Sequence, residues 1–169
     1  MKLIFKFLLG LALLFTTLQA EKPKIDRQYL PIDKSLAVSY ARDNRWYFVG
    51  NNDSYGIFFD TKTAKYDKKT KILTGWFTRI YTPYGREQYI QKAKEFNFYN
   101  PYKHDNLSYS IQKERWSLSS NRRMLLNFAD YSTEGSVVEQ STFKNPEWDE
   151  ILPNSIGEEI LENLKKRYR

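Results

Sequence analysis

The chain has 169 residues, with 27 Lys and Arg against 20 Asp and Glu, a formal charge of +7, one His and no Cys. That length fits one domain, and a composition that is 41% hydrophobic and 17% aromatic can build a core and argues against disorder. Without thiols and with a single imidazole, Cys-based zinc sites, Cys nucleophiles, disulfide frameworks and multi-His metal centres are excluded, and neither a metal nor another cofactor is expected.

Residues 1–20 read as a secretory signal peptide. Lys2 and Lys6 precede an apolar run from Phe7 to Phe15, and Thr16, Thr17 and Leu18-Gln19-Ala20 supply the small-residue end. The run is shorter than the ~20 residues a transmembrane helix needs, and Glu21-Lys22-Pro23-Lys24 follows it directly, so no lasting membrane span is expected; an uncleaved N-terminal anchor is the alternative. No Cys follows the run to carry a lipid. Cleavage removes Lys2 and Lys6 and leaves a modestly basic chain suited to anionic glycans, lipid headgroups or acidic proteins, while an exported destination argues against nucleic acid.

Residues 21–44 form a polar leader with Pro23 and Pro31, in which Leu36, Ala37, Tyr40 and Ala41 suggest a short helix capped by Asp33. The domain then occupies 45–169. Arg45 to Val49 and Tyr55 to Thr61 are aromatic-rich strands joined by the turn-forming Gly50-Asn51-Asn52-Asp53-Ser54. After a brief segment from Ala64 to Tyr66 and a turn at Asp67-Lys68-Lys69-Thr70, Lys71 to Thr82 alternates with period two, Ile72, Thr74, Trp76, Thr78 and Ile80 against Leu73, Phe77, Arg79 and Tyr81. Both Trp76 and Phe77 are assigned to the core. Pro83-Tyr84-Gly85 ends the strand, and Arg86 to Phe96, free of Gly and Pro, is a helix.

Asn97 to Asn106 reads as an aromatic loop carrying Phe98, Tyr99, Tyr102 and His104. Leu107 to Leu118 and Arg122 to Tyr131 are strands joined at Ser119-Ser120-Asn121, and Thr133-Glu134-Gly135 turns the chain into Ser136 to Thr142. The last helix starts at a capping box, Ser155-Ile156-Gly157-Glu158. It carries an apolar stripe of Ile156, Ile160, Leu161 and Leu164, with acids first and Lys165, Lys166 and Arg167 last, as the helix dipole favours. The expected fold is α+β: one antiparallel sheet of about six strands, with a mid-chain helix and a C-terminal amphipathic helix packed on it.

Few residues suggest catalysis. His104 stands beside Asp105, yet no Gly-x-Ser-x-Gly marks a nucleophile, and a loop His is expected to be exposed. Glu147, Asp149 and Glu150 could serve a glycosidase, but between Pro146 and Pro153 they read more simply as a solvated acidic connector. Neither a Gly-rich phosphate loop nor a calcium loop is present, and no catalytic residue is assigned. The binding candidates are Lys65, Lys68, Lys69 and Lys71 in the basic turn, and Phe98, Tyr99 and Tyr102 in the aromatic loop. A solvated turn is the plainer account of the lysines and a heparin-like patch the sharper one.

Four segments taken together carry a family resemblance. They are Phe58-Phe59-Asp60-Thr61, the strand holding Trp76, the hairpin from Tyr131 to Val138 with Gly135, and the run Trp148-Asp149-Glu150-Ile151-Leu152-Pro153-Asn154-Ser155-Ile156-Gly157-Glu158. In order and spacing, from about Trp46 to Leu164, they resemble the surface-adhesin protein E-like family of secreted bacterial proteins. The resemblance implies a small antiparallel sheet packed by a C-terminal helix, and export to the periplasm, the cell surface or the medium. It implies binding of a protein or glycan partner, host extracellular matrix included. Asp60, Trp76, Gly135, Trp148, Ile151, Pro153, Ser155 and Gly157 are then architectural. Relatives look to have a Cys at the place of Ser119-Ser120 and another near the end of the last helix; this chain has neither. A non-enzymatic binding protein is thus expected, with a periplasmic envelope or stress protein and a carboxylate-dependent hydrolase as alternatives, and the oligomeric state left open.

Overall fold

A computed structural model describes residues 30–168; the segment read as a signal peptide and the first part of the leader lie outside the described residues. The elements run α1 (Lys34–Arg42), β1 (Trp46–Asn51), β2 (Tyr55–Asp60), β3 (Lys65–Asp67), β4 (Ile72–Tyr81), α2 (Pro83–Glu95), α3 (Pro101–His104), β5 (Leu107–Ser117), β6 (Arg122–Ser132), β7 (Val137–Thr142), β8 (Asp149–Glu150) and α4 (Ile156–Tyr168). The sheet is antiparallel throughout, in the order β1-β2-β4-β5-β6-β7, with β3 paired to β4 and β8 to β6. The expected α+β architecture with a single antiparallel sheet is what the chain forms.

The strand alternation decides which side chains face which helix. On one face Val49, Ile57, Phe59, Leu73, Phe77 and Trp116 pack against Ile160, Leu161 and Leu164 of α4. The capping box of α4 is formed with a shift: the Glu158 N–H donates to Ser155 Oγ at 3.3 Å, while Glu158 Oε2 accepts from the Asn154 N–H at 2.7 Å. Gly75 makes room for this core, since a Cβ there would lie 2.5 Å from the Phe59 ring. Ser155 Oγ also donates to the Leu152 carbonyl, and Gly157 lies against Ile151, so these motif residues shape the entry into α4. Gly135, at φ +79°, closes the β6–β7 turn in a conformation that favours glycine.

On the other face α1 covers the β1–β2 side, where Ala37, Leu36 and Tyr40 pack on Phe58, Ile80, Trp46 and Phe48. Asp33 caps α1 as expected, accepting from the Leu36 N–H at 2.8 Å. The helix is thereby part of the folded unit.

Four expectations are corrected. Trp76 is not a core residue: it is half-buried and faces away from Phe77, which is fully buried. The second helix begins at Pro83 and not Arg86, because Thr82 Oγ1 accepts from the Gly85 N–H at 3.0 Å and Pro takes the first helical position. The stretch from Asn97 to Asn106 is not loop throughout, since Pro101–His104 forms a helical turn capped by Asn100. His104 is not exposed: only 3% of its surface is accessible. Among the described residues no helix is long and apolar enough to cross a membrane.

Candidate functional site

Beyond α1 no described element covers the second face of the sheet, and a trough of about 650 Å³ runs over it. Strand pairing builds its floor. Trp76 lies opposite Lys113, Lys113 opposite Asn127, Ile111 opposite Ala129, and Ala129 opposite Gln140. Tyr131 continues the floor and stacks on Tyr109, with centroids 4.8 Å apart. The wall comes from Arg45, Trp46, Asp60 and Thr63. Lys113 Nζ stands 5.5 Å from the Trp76 ring centroid and the Arg45 guanidinium 5.2 Å from that of Trp46, both cation–π contacts.

The polar groups at the wall are fixed. Asp60, fully buried, accepts from Arg45 Nε and Nη2 at 3.0 and 2.7 Å, from the Lys62 N–H at 3.0 Å and from Thr63 Oγ1 at 2.8 Å. Burial works against its charge, but the hydrogen bonds from Arg45, Thr63 and Lys62 outweigh it and hold the carboxyl below the usual range. One polar atom in the trough is unmet. Asn127 Oδ1 is buried and has no hydrogen-bond partner among the described residues, whereas buried acceptors are as a rule paired.

A second constellation lies on the α4 side of the sheet, between β6, β7 and the helical turns. Tyr89 Oη is 3.0 Å from Asp130 Oδ2 and 3.2 Å from Glu139 Oε2. A phenol has one hydrogen and can satisfy one carboxylate. Burial, with the nearby Glu139 charge adding to it, pushes the Asp130 carboxyl up against hydrogen bonds from Ser110 and Tyr89. His104 Nε2 is 4.0 Å from Glu139 Oε2 and has no hydrogen-bond partner among the described residues, while Nδ1 accepts from the Asn100 N–H at 2.8 Å. The ring is packed by Tyr89, Phe98 and Tyr99. A shallower cleft of about 480 Å³ reaches His104 and Glu139 past Phe98 and Lys103.

The binding candidates read from sequence are therefore dispersed. Phe98 lines the His104 cleft, Tyr99 stacks on His104 under Lys94 Nζ, and Tyr102 stands 92% exposed. Lys68 and Lys71 line a cleft beside the end of α4, whereas Lys65 and Lys69 do not. Glu147, Asp149 and Glu150 are exposed, and the latter two pair with Arg123 and Arg122 as a short edge strand. Trp46, Arg45, Asn127 and Tyr131 were absent from the candidates; the signal for the first two was the aromatic hairpin ending in Asp60, but the partner faces came from strands far away in sequence. Comparison with family models, curated proteins and solved structures finds no match to this chain.

Proposed function

We propose that the protein is an exported, non-enzymatic binding protein of the surface-adhesin type, which contacts a protein or glycan partner outside the cytoplasm through the open face of its sheet. The observation that carries this reading is the trough itself, in which two half-buried Trp, a Tyr and an unmet buried acceptor on Asn127 share one concave surface. Large aromatic rings supply contact area at little conformational cost, and buried polar groups fix the orientation of what they meet. The Arg45–Asp60 pair holds one end of the trough rigid before any partner arrives.

The test is a binding screen of the purified protein against immobilised extracellular-matrix proteins and oligosaccharides, repeated with Trp76→Ala and Asn127→Ala. Capture that both variants abolish supports the trough; capture unchanged in both overturns it. Protease shaving of intact source cells tests the location, and retention in a protected envelope fraction turns the search to periplasmic partners. The hydrolase reading is second, and the Asp130–Tyr89–Glu139 arrangement beside His104 favours it: two carboxyls held in different environments are what general acid and base roles require. Hydrolysis of a glycan in the screen that Glu139→Gln abolishes would put that reading first.

A further inference from the structure

Two basic runs that are far apart in the sequence meet in the fold. Lys68 and Lys71, at the turn between β3 and β4, line one cleft of about 730 Å³ together with Lys165 and Arg167 at the end of α4; Tyr66, Tyr168, Leu118 and Ser119 also line it, and among the described residues no carboxylate does. From this convergence we propose that the cleft is a binding site for an anionic polysaccharide, with sulfate or carboxylate groups along the sugar chain engaged by Lys68, Lys71 and Arg167. It lies on the α4 side of the sheet, away from the trough, and does not depend on what the trough binds.

The cleft is built before a ligand arrives. Asp67 Oδ1 accepts from the Lys69 N–H at 2.8 Å and the Thr70 N–H at 3.3 Å, which fixes the turn that presents Lys68 and Lys71. The Lys71 carbonyl accepts from the Leu118 N–H at 2.9 Å, tying that turn to the one between β5 and β6. Lys165 Nζ donates to Asn121 Oδ1 at 3.1 Å and pairs with Glu162 at 2.8 Å, and the Arg167 guanidinium lies 4.9 Å from the Tyr47 ring centroid. Glu162 therefore offsets Lys165. Lys68, Lys71 and Arg167 have no carboxylate within ion-pair distance among the described residues, so three cations remain for a ligand.

The surroundings favour a polysaccharide over other polyanions. None of the exposed large hydrophobic side chains lines the cleft, so there is no apolar wedge to enter a lipid bilayer. Tyr66 and Tyr168 are half-buried and packed on each other, with centroids 5.3 Å apart, and Tyr168 also meets Phe59 edge-on. They form a floor and not the free ring faces on which nucleic-acid bases stack.

The test is titration of the purified protein with a heparin oligosaccharide at low salt and at about 0.15 M salt, where charge attraction is screened beyond roughly 8 Å. The wild type is expected to bind and to lose affinity as salt rises. The variant Lys68→Gln, Lys71→Gln, Arg167→Gln should bind at least about tenfold more weakly. A control that removes equal charge outside the cleft, Lys62→Gln, Lys65→Gln, Lys166→Gln, should stay within about twofold. Melting curves of both triple variants matching the wild type show that folding is intact. No heparin binding by the wild type, or equal losses in the two triple variants, overturns the proposal. So does tighter binding of phosphatidylglycerol vesicles or duplex DNA than of heparin, with the same cleft dependence.

Discussion

Trp116 and Trp76 stand on neighbouring strands of one sheet and meet opposite fates. Trp116, on β5, is fully buried under α4, and its indole N–H donates to Glu114 Oε2 at 2.7 Å. Trp76, on β4, is half-buried in the trough with only the Lys113 ammonium over its ring. The face beneath α4 spends its aromatics on stability and even internalises an ion pair, Arg79 with Glu114 at 2.7 Å, in doing so. The opposite face is covered in part by α1 and carries the trough on the remainder. One sheet thus has a side packed under α4 and a side that α1 covers only in part.

Substitutions on the two faces should therefore part company. Glu114→Ala strips the partner from Arg79 and from the Trp116 indole, and removing one member of a buried pair costs about 3–5 kcal/mol, which thermal or urea denaturation would read as a large loss. Trp116→Ala should cost a similar ~3–5 kcal/mol through the cavity it leaves. Gly75→Ala drives a methyl into the Phe59 ring and should cost about 1–3 kcal/mol by overpacking. Trp76→Ala, by contrast, should cost about 1 kcal/mol or less, as for a surface site, and an equal loss for Trp76→Ala and Trp116→Ala would erase the distinction between the faces.

The smallest expected effects are in the pH dependence, and they have opposite signs on the two faces. Asp60, on the trough face, is held below its usual range by Arg45, Thr63 and Lys62 despite its burial. It stabilises the fold above its unfolded value of about 4, and that contribution is lost as pH falls through its folded value. Asp130, on the other face, is pushed up by burial and by Glu139. Its contribution is present below about 4 and is lost as pH rises through the raised value. In melting temperature against pH, Asp60→Asn should flatten the acid-side loss and Asp130→Asn the decline above it.

Much of the fold was legible because local signals suffice for it. The alternation over Ile72–Tyr81, the Asp33 cap and the Ser155–Glu158 box each specify an element from adjacent residues. The face that Trp76 takes was not legible. On β4 the side that packs under α4 carries Leu73, Gly75, Phe77, Arg79 and Tyr81 and the other side carries Trp76, and alternation alone does not say which of the two is the core. Arg79 is buried there because Glu114, 35 residues away, meets it, with Gln112 as a second partner. His104 misled for a related reason: its loop folds into a helical turn, and aromatic rings from α2 and the loop close over it. The candidate site was legible only in composition, as an excess of aromatics, since the trough joins β1, β4, β5, β6 and β7 by register. The basic runs were visible, and their meeting was not.

The contact of Lys165 with Asn121 joins the last helix to the turn between β5 and β6. An ammonium on an amide closes without electron transfer. With no Cys in the chain, the docking of α4 includes no thiol–disulfide exchange. The helix itself is seated by Ile160, Leu161 and Leu164 in the core, so this polar join is an exposed addition at its end, beside the cleft that Lys165 helps to line.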